Sequence, residues 1–172
     1  MNSSLQCLSL QKLLLPFCLL VCSIGFYIPA FAQEQPPKPI VVTVSTLQHL
    51  SFGTFIQSGA SGTVTVDYTG SRTATGSVIL PGMFSIVTPA LFQVTALPGT
   101  LITIVNGTTA TLTGSNGGSI ILDLGQSSKG SPFITTGSST DVFIGGTLTV
   151  GSLAANPAGL YNGTFTVTFI QQ

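Results

Sequence analysis

The groups of this 172-residue chain that could do chemistry are one histidine, a few scattered carboxylates and a large supply of serine and threonine hydroxyls. His49, in "LQHLSF", would need a partner to act as a base, a nucleophile's activator or a metal ligand. No second histidine exists, and no cysteine stands near enough in sequence to complete a zinc-type site. His49 is therefore expected at a turn or strand edge. Asp67, Asp123 and Asp141 stand far apart, without the closely spaced oxygen ligands of a calcium loop, and read as solvent-facing residues of strands or turns. The hydroxyls lack a histidine at any recognisable spacing, so no nucleophile stands out. The glycine clusters Gly114 to Gly118 and Gly145-Gly146 do not join a strand to a helix, which argues against a phosphate loop. Asn106-Gly107-Thr108 and Asn162-Gly163-Thr164 match the glycosylation sequon. No catalytic residue, metal ligand or cofactor-binding residue is expected, and no cofactor.

With little chemistry to position, the chain's organisation carries more of the argument. Residues 1–32 read as a secretory signal peptide: Lys12 gives the positive n-region, Leu13 to Ile28 the apolar h-region, and Ala30-Phe31-Ala32 the small-x-small cleavage site. Export through the Sec pathway and a mature chain from Gln33 are the expectation. Leu13 to Ile28 is short for a membrane anchor and is interrupted by Pro16. No transmembrane segment is expected in the mature chain. All three cysteines, Cys7, Cys18 and Cys22, fall within the leader, so no disulfide should hold the mature fold. Beyond Ala32 the charged residues are Lys38, Arg72 and Lys129 against Glu34, Asp67, Asp123 and Asp141, a formal net charge of −1. Such a chain cannot grip a phosphate backbone, and nucleic acid is excluded as a partner. Its surface must be built of Thr, Ser, Gly and Asn, which suits repeated association better than solitary diffusion.

Residues 33–39, "QEQPPKP", form a Pro-rich spacer. From residue 40 to 172 a single domain follows. Its strand-like runs, bounded by Gly, Pro, Asn or Ser, are residues 40–46, 50–56, 62–68, 73–80, 90–97, 101–105, 109–113, 119–124, 141–150 and 161–170. No window sustains helical spacing. Inward faces are predicted for Val64, Val66 and Tyr68, for Phe92, Val94 and Ala96, and for Ile144, Gly146, Leu148 and Val150, since alternate residues of a strand share a face. "LITIV" and "SIILDLG" are apolar on both faces and read as central strands or strands with a covered second face. Residues 125–140 read as a surface loop with Phe133 tucked down. In the closing run, Tyr161, Phe165, Val167 and Phe169 are predicted to face a core and Thr164, Thr166 and Thr168 to face out. Together these features predict an all-β fold, an immunoglobulin-like or pilin-like β-sandwich of short antiparallel strands.

Several stretches carry a family resemblance: "LSFGTF" (50–55), "SGTVTVDYTGSRTATGSVIL" (61–80), "LFQVTALPGTLITI" (91–104), "FIGGTLTV" (143–150) and "AGLYNGTFTVTF" (158–169). In this order the chain resembles a family of bacterial secreted domains of unknown function, members of which are likened to the major subunit of Mat/Ecp-type fimbriae. The most specific pieces are the Phe-Gly of the first stretch, "SRTATG" and the closing "GLYNGTFTVTF". The resemblance implies a pilin-like sandwich at the cell surface and supplies no site residues. The chain departs from chaperone–usher pilins in having no cysteine pair after cleavage and in ending "FIQQ".

An exported sandwich has edge strands whose free N–H and C=O groups invite a neighbouring strand. "PIVVTVSTLQ" is a candidate donor for such pairing, with Ile40, Val42 and Val44 on one side and Val41, Thr43 and Ser45 on the other; it could equally be the first strand of its own domain. Ile40, Val42 and Val44 are accordingly the candidate subunit-contact residues. The expected function is a non-enzymatic secreted cell-surface structural protein, a fimbrial or pilus-like subunit or adhesion component that self-associates or joins other surface subunits. The alternatives are an extracellular ligand- or carbohydrate-binding β-sandwich module, disfavoured by the lack of tryptophan; an enzyme; and an outer-membrane barrel, against which stands the absence of paired aromatic girdles.

Overall fold

The computed structural model describes residues 41–44, 48–82 and 85–172. The expected signal peptide, the Pro-rich spacer and Ile40 lie outside the described residues. Among the described residues there are strands and no helix: β1 Val41–Val44, β2 Ile56–Val66, β3 Arg72–Ile79, β4 Ala90–Thr95, β5 Leu101–Asn106, β6 Ala110–Gly114, β7 Ser119–Ser127, β8 Phe133–Ile134, β9 Ser139–Val150, β10 Tyr161–Asn162 and β11 Val167–Gln171. The all-β class is as expected, and every named pairing is antiparallel.

Eight strands make a large sheet. Its path is β1-β4-β9-β7-β6-β10, and the β2–β3 hairpin joins through β2 to β9. The 12-residue β9 is the spine. Along one edge it pairs first with β4, from Ser139↔Thr95 to Ile144↔Ala90, and then with β2, from Gly146↔Val66 to Val150↔Gly62. Gly145 sits between the two ladders. A Cβ there would lie 2.1 Å from the Val66 carbonyl oxygen, so only glycine lets β2 approach β9 this closely. β11, β5 and β8 form a second, three-stranded sheet.

The two sheets pack face to face over one half of the large sheet. Phe92 and Val94 of β4, Val142 and Ile144 of β9, Ile102 and Ile104 of β5 and Phe133 of β8 make that buried cluster. Burial of this much apolar surface, at roughly 25 cal/mol per Å², is what offsets the entropy of ordering a chain with few charges and no disulfide in the domain. The other half of the large sheet contributes Val64, Val66, Val78, Ile120, Leu122, Leu148 and Val150, and no strand of the small sheet covers it. Its outer face is lined by threonines that pair across strands: Thr63 with Thr75 (Oγ1···Oγ1 2.7 Å) and Thr65 with Thr147 (2.9 Å).

The predicted inward faces of β2, β4 and β9 are buried as expected, except that Ala96, just past the end of β4, is half-buried and Tyr68 is turned out. Tyr68 is 44% exposed, because the strand ends at Val66 and Asp67 opens the turn to β3. Residues 50–56 are not a strand: only Ser51 makes a bridge, to Thr88, and β2 begins at Ile56. The expected 125–140 loop is shorter, since 125–127 close β7 and 139–140 open β9; it does carry a buried Phe133, and also β8, which residues 101–102 of β5 pair with. Buried Thr135 fixes that loop by donating to the Leu97 carbonyl (2.6 Å) and accepting from the Thr100 N–H (3.1 Å). β5 and β7 are central strands as predicted, but their second faces are open, leaving Leu101, Val105 and Ile121 exposed. The closing run is two strands instead of one. β10 pairs with β6 of the large sheet, Gly163–Thr166 crosses over, and β11 pairs with β5 of the small sheet. The predicted alternation survives the crossing: Tyr161, Phe165, Val167 and Phe169 are half-buried, while Thr164, Thr166 and Thr168 are exposed.

Candidate functional site

The structure keeps the chemistry-bearing residues apart. His49 is exposed, and its carbonyl accepts a hydrogen bond from Thr88 Oγ1 (2.6 Å). Asp123 lies on β7, and Asp141 on β9, where Gln93 Nε2 approaches it at 3.4 Å. Asp67 shapes the β2–β3 turn: its Oδ1 accepts from Thr69 Oγ1 (2.6 Å), from the Thr69 N–H (2.8 Å) and from the Ser71 N–H (2.9 Å). These donors, the Thr69 hydroxyl foremost, hold its carboxyl below the ordinary value of 3.8. Among the described residues no cluster of three metal-ligating side chains exists.

What the fold does build is a groove. The half of the large sheet that the small sheet does not reach lies beneath it through Leu112, Ile120, Leu122, Leu148 and Val150, and Leu50, Phe52, Phe55 and Phe165 pack over these side chains, leaving the last four 1–4% exposed. Two irregular segments form the walls: Gln48–Phe55 on one side and Gly159–Phe165 on the other, enclosing about 1160 Å³ of open space. Neither wall forms a strand that pairs with the other: the first has only the Ser51 bridge to Thr88, and the second holds only the two-residue β10, which pairs with β6. In the first, Gly53 adopts φ +65°, a left-handed conformation that interrupts the extended run here. In the second, the chain is leaving one sheet for the other.

Specific contacts hold the walls in place. Arg72 Nη1 donates to the Phe52 carbonyl (2.9 Å) and to the Thr54 carbonyl (3.0 Å), clamping the backbone on both sides of Gly53. Phe52 is thereby fixed in the core, with Phe55 packed against it. The far wall is anchored by Tyr161, whose hydroxyl donates to the Pro157 carbonyl (2.7 Å), and by buried Asn156, whose Nδ2 donates to the Ser119 carbonyl (2.6 Å). Three stretches that carry the sequence resemblance thus meet: the Phe-Gly of "LSFGTF" and the Arg of "SRTATG" build one wall, and "GLYNGTF" builds the other.

Charge and polarity define what the groove can accept. Among the described residues no Asp, Glu, Lys or Arg lines it. Its rim is apolar, with Ile56, Ile86, Leu153 and Leu160 exposed. An exposed, uncharged apolar rim of this kind fits an interaction surface for a neutral partner.

The second candidate feature is the β1 edge. Of the candidate subunit-contact residues, Val42 and Val44 lie in β1, where Val42 pairs with Val94 and Val44 with Phe92 of the chain's own β4; Ile40 lies outside the described residues. Among the described residues β1 terminates the large sheet, with β4 as its one neighbour. The sequence shows this strand but not the groove, because the groove is made by segments 48–55 and 159–165, which come together only in the fold. The available signal was Gly53 inside an otherwise alternating run.

Among the described residues no helix is long and apolar enough to cross a membrane. No curated protein and no solved structure matches the chain. One family does, over residues 42–170, which takes in every strand from β2 to β10, most of β1 and all of β11 but its last residue. The chain belongs to the family described as domain of unknown function DUF4402.

Proposed function

We propose that this chain is a non-enzymatic, secreted surface subunit of a fimbria-like assembly, joined to its neighbours by exchange of β1. The observation that carries the reading is the position of β1 at the end of the large sheet, preceded by a Pro-rich spacer and, among the described residues, bonded to β4 alone. Removing β1 leaves the N–H and C=O groups along the outer edge of β4 unpaired, and the same four residues of a second copy satisfy them in the same register. The low charge of the domain supports close, repeated contact between copies, and the scattered titratable groups supply no acid–base pair for turnover. Electron microscopy of surface material from cells carrying the intact chain or a chain lacking residues 33–46 tests the reading. Filaments in the first sample and none in the second are expected; filaments in both, or in neither, would count against it.

The groove favours a second reading, an extracellular binding module for a neutral ligand such as an uncharged glycan. Tyr161, Gln48, Gln57 and Asn162 among its lining residues supply hydrogen-bonding groups beside the apolar rim. A glycan array probed with the purified chain separates the two, since the subunit reading expects no hits.

A further inference from the structure

We infer that Asn162 is a site of spontaneous, site-selective deamidation that places a carboxylate at the edge of the apolar groove. The chain contains three Asn-Gly pairs, 106–107, 116–117 and 162–163, and all three asparagines are exposed. In such a pair the backbone nitrogen of the glycine attacks the asparagine Cγ. The new C–N bond closes a five-membered succinimide, the Cγ–Nδ2 bond breaks, and ammonia leaves. Water then adds to one of the two ring carbonyls and reopens the ring, giving aspartate or isoaspartate. The balance is one water consumed and one ammonia released, with no enzyme or oxidant.

The three pairs differ in how tightly their reacting groups are held. Asn106 Nδ2 donates to the Gly125 carbonyl (2.8 Å), and the Gly107 N–H donates to the Thr166 carbonyl (2.8 Å). Asn116 Nδ2 donates to the Ala158 carbonyl (2.7 Å), and the Gly117 N–H donates to the Gly114 carbonyl (3.1 Å). In both pairs the nucleophile and the leaving amide are hydrogen-bonded, and both bonds must break before the ring can close.

At 162–163 neither is. Ser115 N–H donates to the Leu160 carbonyl (2.9 Å), and Tyr161 and Asn162 pair with Gly114 and Thr113. Antiparallel pairing alternates, so Asn162 directs its N–H toward β6, and Gly163 directs its own toward the open edge. β10 ends the sheet, and among the described residues no acceptor reaches the Gly163 N–H and no partner reaches the Asn162 amide. Glycine is nonetheless required at 163, because a Cβ would stand 2.7 Å from the Thr111 carbonyl oxygen. The packing that demands glycine thus also removes the side chain that would hinder ring closure. The product changes the groove: Asn162 lines it, and among the described residues the lining has no other carboxylate. Where isoaspartate forms, one extra backbone carbon enters the short β10 ladder.

The test is peptide mapping by mass spectrometry of the folded chain held at mildly alkaline pH, beside a denatured sample. In the denatured sample the three sites should react alike. In the folded chain Asn162 should convert about ten-fold or more faster than Asn106 and Asn116, the margin expected from two hydrogen bonds at each of the others. Conversion of Asn106 or Asn116 at an equal or greater rate would overturn the inference. So would an Asn162 left intact in the folded chain when the denatured sample has reacted at all three sites.

Discussion

The rings of Phe92 and Phe165 meet edge-to-face, with centroids 6.5 Å apart and planes at 72°. Phe92 comes from β4 of the large sheet, and Phe165 from the crossing segment between β10 and β11. Phe165 also packs against both buried clusters, so this one side chain links the covered half of the sandwich to the grooved half. Phe165→Ala should lower stability by about 2–3 kcal/mol, at or just below the range of about 3–5 kcal/mol for a fully buried phenylalanine because the ring is only half-buried. Chemical denaturation of the two proteins measures it. A loss near zero would show that the crossing segment is not part of the core.

Arg72 holds the opposite wall through two carbonyls, and its loss leaves both without a donor. Arg72→Ala should cost about 1–2 kcal/mol. Amide exchange should also quicken selectively in Leu50–Phe55. Unchanged exchange there would mean that Phe52 and Phe55 fix the wall without the guanidinium.

Asp67 gives the fold a pH dependence of known sign. Its folded value lies below the unfolded one, so the turn's stabilisation is fully present above the unfolded value and is lost as pH falls through the folded value. Asp67→Asn removes the anion that Thr69 and Ser71 donate to. The thermal midpoints of the two proteins should therefore differ near neutrality and converge in strong acid. Curves that stay parallel down to strong acid would contradict the assignment.

The sequence made the inward faces legible wherever the period of two ran unbroken, as at Val64 and Val66 or Leu148 and Val150. The same signal misled at residues 50–56. Leu50 and Phe52 do turn toward the core, as alternation suggests, yet burial and ladder pairing are separate properties, and Gly53 at φ +65° breaks the second without the first. β9 hid its double role because alternation reports which face is buried and not which strands lie alongside; Gly145 marks the change of partner only once the Val66 carbonyl is seen beside it. β8 escaped because two residues in a polar loop form no period. The closing run read as one strand because the crossing at Gly163–Thr166 preserves the alternation it interrupts. Of the candidate site, β1 was legible as an apolar alternating run, while the groove was not.

The central claim is that β1 of one copy pairs with β4 of another, and disulfide trapping tests it most directly. Thr43 and Gln93 are register partners across β1 and β4. In a chain that starts at the expected cleavage point, Gln33, and so carries no native cysteine, one preparation has Thr43→Cys and another Gln93→Cys. Oxidising the mixture should give covalent dimers joined through these two positions, and a chain carrying both changes should give a ladder of multimers. A doubly substituted chain that closes its disulfide only within itself, with no covalent dimer in the mixture, would contradict the claim.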